Sequence, residues 1–380
     1  MDFALTSEQR RRDEELDAAI RDRLGDNRPF AADQHFTRER WRAAAELGLT
    51  GLCLPAEHGG QALGALDTAL CLETFGRACP DTGLVFGVAA HLLACAVAVR
   101  DFATDEVAAR LLPRLANGEV IAANAITEDD AGSDTGALGM KAVGTRDGYR
   151  LTGEKSFSSN APLADVFVVY AVTDPAAGFL GTTGFLVDRD LAGVEVGPPL
   201  VKAGLHGCPA GRLTLTDTLV AHDRVLGEPG QGSVIFQHSM GWERACLFAI
   251  YLGLMDVQLR SCVRHARRRR QFGSRIGDFQ AVAHPIAEMR QRLDSARLLL
   301  LRACWLIDNG RNAVTETSLA KIAVSEAAIA NGLAAVQVFG GSGYLAETGV
   351  EAQLRDALPS RIFSGTNEIH RTLVARGMGL

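Results

Sequence analysis

Apolar residues recur three and four positions apart through the first part of the chain, the period of a helix with one buried face. That spacing predicts helices over Arg38–Leu47, stopped by Gly48, over Leu66–Arg77, and over Glu106–Leu115 ahead of Asn117-Gly118. Thr6-Ser7-Glu8-Gln9 has capping-box spacing, so a further helix starts there. Pro55 and Gly59-Gly60 mark a loop. Thr82–Val99 is an uncharged run of 18 residues, the lower limit for a membrane span. It contains His91, two glycines and many alanines, so it reads better as a helix buried in a protein core.

The pattern then changes. Between Ile121 and Gly232 lie 17 of the 40 glycines and 6 of the 12 prolines. These breaks separate short β-type runs: Tyr149–Thr152, Val166–Tyr170, Gly184–Val187 and Arg212–Thr216. Such punctuation predicts an antiparallel barrel or sandwich. From Ser233 onward only Pro285 and Pro359 interrupt, and the helical period returns over Val234–Arg270, Gln280–Asp308 and Glu316–Phe339. Helices of that length pack side by side as a bundle. The expected organisation is a helical domain over 1–120, a β domain over 121–232 and a helical bundle over 233–380.

Composition narrows the function. The chain has 380 residues, with 39 basic and 45 acidic side chains and a net charge of −6, which argues against a nucleic-acid binder. Its eight cysteines include no C-x-x-C pair, and most have apolar neighbours, as Leu52-Cys53-Leu54 does. Reduced, buried thiols are expected, and no metal site. Asp2, Glu8 and Arg10–Arg12 do not fit a signal peptide, so a cytoplasmic location with no membrane association is expected.

Five segments carry candidate chemistry. Thr127–Asp134 is a loop of small and hydroxyl residues that lets a ligand approach backbone; taken alone it is equally a surface turn. Lys155–Asn160 offers the Phe157 ring and, two residues on, the Ser159 hydroxyl; in a strand both share one face. Arg267–Gly273 is either a solvated basic helix end or a place for a phosphate-bearing ligand. Phe339–Tyr344 contains a glycine helix stop, and Ser364–Glu368 can cap the last helix. No G-x-G-x-x-G opens a βαβ unit, and there is no P-loop.

In this order and spacing the segments resemble the acyl-CoA dehydrogenase superfamily over essentially the whole chain. The family pattern T-E-P-x-A-G-S-D matches Thr127–Asp134, with Asp129 in place of the proline. W-I-T-N matches Phe157–Asn160, R-x-Q-F-G matches Arg269–Gly273, and Q-x-F-G-G matches Gln337–Gly341. The resemblance implies a mainly α fold with a β-barrel middle domain and a four-helix bundle. It also implies bound FAD and a homotetramer or homodimer.

Carried over residue by residue, it puts Ile126 and Thr127 at the flavin pyrimidine and Ser133 near the pyrophosphate. Phe157 and Ser159 flank the isoalloxazine. Arg269, Gln271 and Phe272, with Gln337, Gly340 and Gly341, reach a neighbouring subunit's FAD. Thr366 and Glu368 sit near the ADP portion. Many relatives place the catalytic Glu just before the late Gly-Thr, where this chain has Ser364, which is no unaided base. A minority draws it from the bundle helix just before an Arg, and Glu243-Arg244 stands there, with Arg244 25 positions before Arg269. The resemblance thus assigns Glu243 as base and the Ser364 backbone N–H as donor to the substrate carbonyl. The other reading of Glu243 is a plain ion-pair partner.

Several segments resemble one branch in particular, the prolyl-carrier-protein dehydrogenases: Gly64–Leu70, Ile121–Asn124, Asn160–Asp165, Ser239–Glu243 and Pro359–Thr366. The branch implies oxidation of a prolyl thioester on a phosphopantetheine-bearing carrier protein to a pyrrole-2-carboxyl thioester, with Trp242 and Arg244 shaping the substrate pocket. Three alternatives stand at this point: a short- or branched-chain acyl-CoA dehydrogenase, a hydroxyacyl-carrier-protein dehydrogenase, and a non-enzymatic helical interaction protein that has kept the fold.

Overall fold

The computed structural model describes residues 4–25 and 36–380. Helix α1 (Ser7–Arg23) starts at the expected capping box. The Thr6 hydroxyl accepts from the Gln9 N–H at 3.1 Å, and the Gln9 amide oxygen accepts from the Thr6 N–H at 3.0 Å. Helix α2 (Arg38–Glu46) gives way to Gly48, whose φ of 75° is costly for any other residue. Helices α3 (Ala65–Ala78), α4 (Thr82–Ala90), α5 (Val97–Phe102) and α6 (Asp105–Ala116) complete the first helical part. A π turn, His91–Ala96, joins α4 to α5. Thr82–Phe102 is one of three helical stretches long and apolar enough to cross a membrane, and 94% of its apolar window is buried inside the fold.

The middle part is one eight-stranded sheet. Its strands are β1 (Ala122–Ala125), β2 (Lys141–Thr145), β3 (Gly148–Ser159), β4 (Val166–Val172), β5 (Thr182–Asp188), β6 (Val194–Val196), β7 (Ala210–Ala221) and β8 (Val225–Leu226). Their spatial order is β6-β7-β3-β2-β4-β5-β8, with β1 beside β4. The sheet is not wholly antiparallel as the turn pattern predicts. β1 runs parallel to β4, and β2 meets β4 in parallel at Lys141 and Val172. The reason is topological: 40 residues, 126–165, separate β1 from β4, enough for a crossover rather than a hairpin.

Strand periodicity gives this sheet two buried faces. On β4, Phe167, Val169 and Ala171 join Phe185, Val187, Leu213 and Leu215 in the core the sheet wraps around. The alternate residues Val166, Val168 and Tyr170 face the other way, into the helical core.

The last part contains α7 (Gly232–Trp242), α8 (Ala249–Arg268), a hairpin of β9 (Arg270–Gln271) and β10 (Ser274–Arg275), α9 (Gln280–Asp308), α10 (Val314–Phe339), α11 (Val350–Ala357) and α12 (Asn367–Gly377). The long helix expected over Val234–Arg270 runs continuously from Gly232 to Arg268 and contains a π turn at Glu243–Leu247.

The first and last parts share one apolar core, running from Trp41 and Phe75 through Phe248 and Leu300. Helices α3 and α8 cross closely enough that a Cβ on Gly253 would lie 2.2 Å from the Glu73 carbonyl oxygen, so only glycine fits. Asp308, at the end of α9, accepts from the Ala65 and Leu66 N–H groups at 2.6 and 2.9 Å and so caps α3 from another part of the chain. All eight cysteines are buried and free.

Candidate active site

A cavity of about 470 Å³ lies where the sheet meets both helical parts. A larger groove, about 1180 Å³, runs between α1, α3 and α8, but charged residues such as Asp17, Arg77 and Arg264 line it, and none of the five motif segments reaches it. The chemistry gathers in the smaller cavity.

One wall is the Thr127–Asp134 loop, which follows β1. Glu128 anchors it, accepting from the Gly139 and Met140 N–H groups at 2.6 and 3.0 Å and from the Lys155 ammonium at 2.7 Å. Lys155 is fully buried, and its ammonium also donates to the Ile126 carbonyl at 3.0 Å. Burial pulls the Lys155 pKa down to about 8 against the pull of Glu128. For Glu128, burial raises the pKa but the Lys155 bond outweighs it and the net direction is down. Both shifts are downward, which disfavours the ammonium and favours the carboxylate, yet the pair stays ionised at neutral pH. Asp129, where the family has proline, accepts from the Ser156 hydroxyl at 2.6 Å and from Arg212 at 2.9 and 3.1 Å. The substituted position thus ties the loop to β3 and β7.

The end of β3 forms the adjoining wall. Pairing with β7 slips between Lys155 and Ser158, a bulge that accompanies φ of 57° at Phe157. This unusual backbone turns the Phe157 ring outward, 62% exposed, while Ser159 is half-buried. Both line the cavity, as do Ile126, Thr127, Ser133 and Thr366. Two cavity-lining residues also carry buried polar atoms without partners, Asn124 Oδ1 and Ser158 Oγ. Orphaned polar atoms, an open aromatic face and a loop of small residues fit a flat, heteroatom-rich cofactor such as a flavin.

The third wall holds a buried carboxylate and its partners. Glu243 starts the π turn after α7 and is buried. The Ser364 hydroxyl donates to Glu243 Oε1. Burial raises the Glu243 pKa, opposed by the Ser364 bond and by the Arg244 charge. Arg244 Nε in turn donates to the Ser364 carbonyl at 2.9 Å, and His370 Nε2 meets that carbonyl at 3.1 Å. Ser364 holds φ of 57° and Gly365 φ of 89°, so this turn doubles back into the cavity mouth. Among the described residues, no acceptor takes the Ser364 backbone N–H. The plain ion-pair reading of Glu243 does not hold, because its bond goes to a hydroxyl while the Arg244 bonds go to Ser364 and Gln237.

The acyl-CoA dehydrogenase N-terminal, middle and C-terminal domain families match residues 6–119, 123–218 and 230–379. The chain belongs to the acyl-CoA dehydrogenase family. Across 348 residues it is 51% identical to an L-prolyl-[peptidyl-carrier protein] dehydrogenase of Pseudomonas fluorescens, covering 91% of this chain and 92% of that one. The solved structure of PigA with FAD and proline superposes with a TM-score of 0.96 at 38% identity over 100% of both chains. The prolyl acyl carrier protein oxidase AnaB superposes with a TM-score of 0.96 at 37% identity, over 99% of this chain and 100% of that one.

Within this acyl-CoA dehydrogenase chain, several expected site residues stand elsewhere. Trp242 does not line the cavity; its ring packs under the Arg100 guanidinium, 4.6 Å away. Neighbouring helical positions point about 100° apart, and of the two neighbours of Glu243 it is Arg244 that shares the cavity while Trp242 turns to Arg100. Glu368 points to solvent and pairs with Arg371 at 3.0 Å, although Thr366, which caps α12, does reach the cavity. Arg269, Gln271, Phe272, Gln337, Gly340 and Gly341 are exposed and none of them lines the cavity. Phe272 tips the β9–β10 hairpin, where φ of 50° at Phe272 and 77° at Gly273 makes a tight two-residue turn. The two motifs are neighbours, since His265 before the hairpin stacks on Phe339 at 4.3 Å.

Four residues at or near the cavity carried no signal of their own in the sequence. Cys95 lines the cavity, Tyr170 is a buried phenol beside Ser239, and His370 holds the Ser364 carbonyl. Lys321 is fully buried and donates to Asn367 at 2.7 Å, its pKa pulled by burial to about 7.

Proposed function

We propose that the chain is a FAD-dependent dehydrogenase of a prolyl thioester carried on the phosphopantetheine arm of a carrier protein, and that it yields the pyrrole-2-carboxyl thioester. The observation that carries this reading is the buried Glu243 carboxylate, set in one cavity with the Thr127–Asp134 loop and the Phe157 ring. The likeness to prolyl-carrier-protein enzymes along nine-tenths of the chain supports the substrate class.

Ile126, Thr127, Ser133, Phe157, Ser159 and Thr366 are the residues of this chain that would hold the cofactor. FAD bound there would supply the acceptor for a hydride leaving the substrate β-carbon. One such step removes two hydrogens, so the pyrrole requires a second two-hydrogen oxidation and an isomerisation, with the reduced flavin reoxidised in between by an external acceptor such as oxygen. Glu243 takes the proton from the α-carbon, which the thioester makes acidic. The Ser364 N–H donates to the thioester oxygen as negative charge gathers there. Arg244 and His370 keep that N–H in place by holding the carbonyl of the same residue. The apolar side chains Phe86, Phe236, Met240 and Phe363 exclude water around the carboxylate and favour a compact ring as substrate.

Glu368, two residues after Thr366, is kept near the ADP portion of the cofactor, whereas Arg269, Gln271, Phe272, Gln337, Gly340 and Gly341 lie outside the cavity of this chain. We assign them to the FAD of a neighbouring copy in a homotetramer or homodimer. A cytoplasmic enzyme without nucleic-acid or membrane partners accords with the net charge of −6 and with the internal burial of the most apolar helix.

Mass spectrometry of a prolyl-loaded carrier protein after incubation with the enzyme tests this function. Loss of four hydrogens is expected. No mass change there, together with turnover of isovaleryl-CoA, overturns the prolyl assignment.

A further inference from the structure

We propose that the Ser364 side chain is a positioning residue for the base: its hydroxyl holds the Glu243 carboxylate while Arg244 and His370 clamp the backbone of the same serine. The inference rests on the reading of Glu243 as the base and concerns a part of Ser364 that the N–H assignment does not use.

The geometry has two halves. On one side, the hydroxyl donates to Glu243 Oε1 across 121 positions of sequence. On the other, the Ser364 carbonyl accepts from Arg244 Nε at 2.9 Å and meets His370 Nε2 at 3.1 Å. A carbonyl can only accept, so His370 carries its proton on Nε2, and its Nδ1 accepts from the Ser318 hydroxyl at 3.0 Å. Burial draws the His370 pKa to about 4, so the ring is a neutral, fixed donor at working pH. With the carbonyl held twice and φ at 57°, the serine backbone is fixed, and its Cβ is kept within reach of the carboxylate.

The charges around Glu243 leave the hydroxyl a distinct part to play. From its own π turn comes Arg244, whose nearest bond goes to the Ser364 carbonyl and not to the carboxylate. From the facing π turn comes the Cys95 thiol, and from β4 the Tyr170 phenol, both pushed up by burial and therefore neutral. The Tyr170 hydroxyl lies beside Ser239 without a well-formed bond to it. His370 of α12 and Lys321 of α10 stand behind Arg244. Among the described residues the Ser364 hydroxyl is the one side-chain donor bonded to the Glu243 carboxylate.

A hydrogen bond to the charged form favours that form. Losing it makes the carboxylate harder to ionise and moves the acid limb of the reaction to higher pH. The test is the pH dependence of single-turnover flavin reduction, with prolyl-loaded carrier protein, in FAD-loaded wild type, Ser364→Ala and Ser364→Gly. Both variants keep the backbone N–H and carbonyl. The expected result is an acid limb raised by about one pH unit in both, with flavin content retained and rate recovered at alkaline pH. Glycine also relieves the positive φ, so it separates the hydroxyl from backbone strain. An unmoved limb in both variants overturns the inference, and so does a limb moved in alanine but restored in glycine. Glu243→Gln keeps the two readings apart. A fully active Glu243→Gln overturns the base assignment and this inference with it. An inactive one beside unmoved Ser364 variants overturns this inference alone.

Discussion

The hydroxyl of Ser364 donates a hydrogen bond to the carboxylate of Glu243, a residue 121 positions earlier in the chain. On the proposed assignment, that contact sets the late position where many relatives carry the base, here Ser364, beside Glu243. Burial raises the Glu243 pKa above the usual carboxylate range despite this bond.

A base must be ionised, so turnover falls as pH drops through the raised pKa, and the fall begins at a higher pH than an exposed glutamate would give. The expected profile of kcat/KM against pH therefore has an acid limb above about pH 4.5. A flat profile down to pH 4.5 would show that Glu243 is not the group that must ionise.

Trp242 packs beneath Arg100, outside the cavity. Trp242→Phe keeps an aromatic face for the guanidinium. It is expected to hold kcat/KM within about twofold while costing on the order of 1 kcal/mol of stability. Steady-state kinetics and a melting curve on the same preparation check both parts; a tenfold rise in KM would return Trp242 to the substrate pocket.

Asp356, buried on α11, accepts from the Leu205 N–H at 2.6 Å. Burial lifts its pKa to about 6 from 3.8. A carboxyl that binds its proton more tightly when folded contributes stability below about pH 4, and that contribution is lost as pH rises through about 6. Asp356→Asn removes this titration. Relative to wild type it should gain about 3 kcal/mol between pH 4 and pH 7, read by urea unfolding. A difference between the two proteins that does not vary with pH would contradict the assignment.

Gly253 sits where α8 crosses α3, with 2.2 Å between its hypothetical Cβ and the Glu73 carbonyl oxygen. The opposing atom is backbone and cannot swing aside. Gly253→Ala is expected to destabilise by about 1–3 kcal/mol and to lower the melting temperature by a few degrees. An unchanged melting temperature would mean that the helices part without cost.

Much of this protein is legible along the chain because its rules are local. The Thr6–Gln9 capping box needs only residues three apart, and it forms as spelled. Alternation along β4 assigns its two faces without knowledge of what covers them. The motif segments point to a site for a flat ligand because backbone approach, ring and hydroxyl are each local properties; it is their resemblance to the acyl-CoA dehydrogenases that implies a flavin. The π turn at Glu243 escaped the pattern, since one extra residue in a turn hardly disturbs a helical period.

What the sequence by itself determined, then, is the helix–sheet–helix order, the candidate loops, and the replacement of a late glutamate by Ser364 with Glu243 available instead. Only the tertiary structure decided which of these meet. It brought Glu243 to Ser364, gave the Ser364 carbonyl to Arg244 and His370, turned Trp242 away, and left Phe272 and Glu368 on the surface. The physical reason is that a side chain's direction depends on how each helix is rotated about its own axis. That rotation is set by packing between segments far apart in the chain, such as α3 against α8, and no local period encodes it.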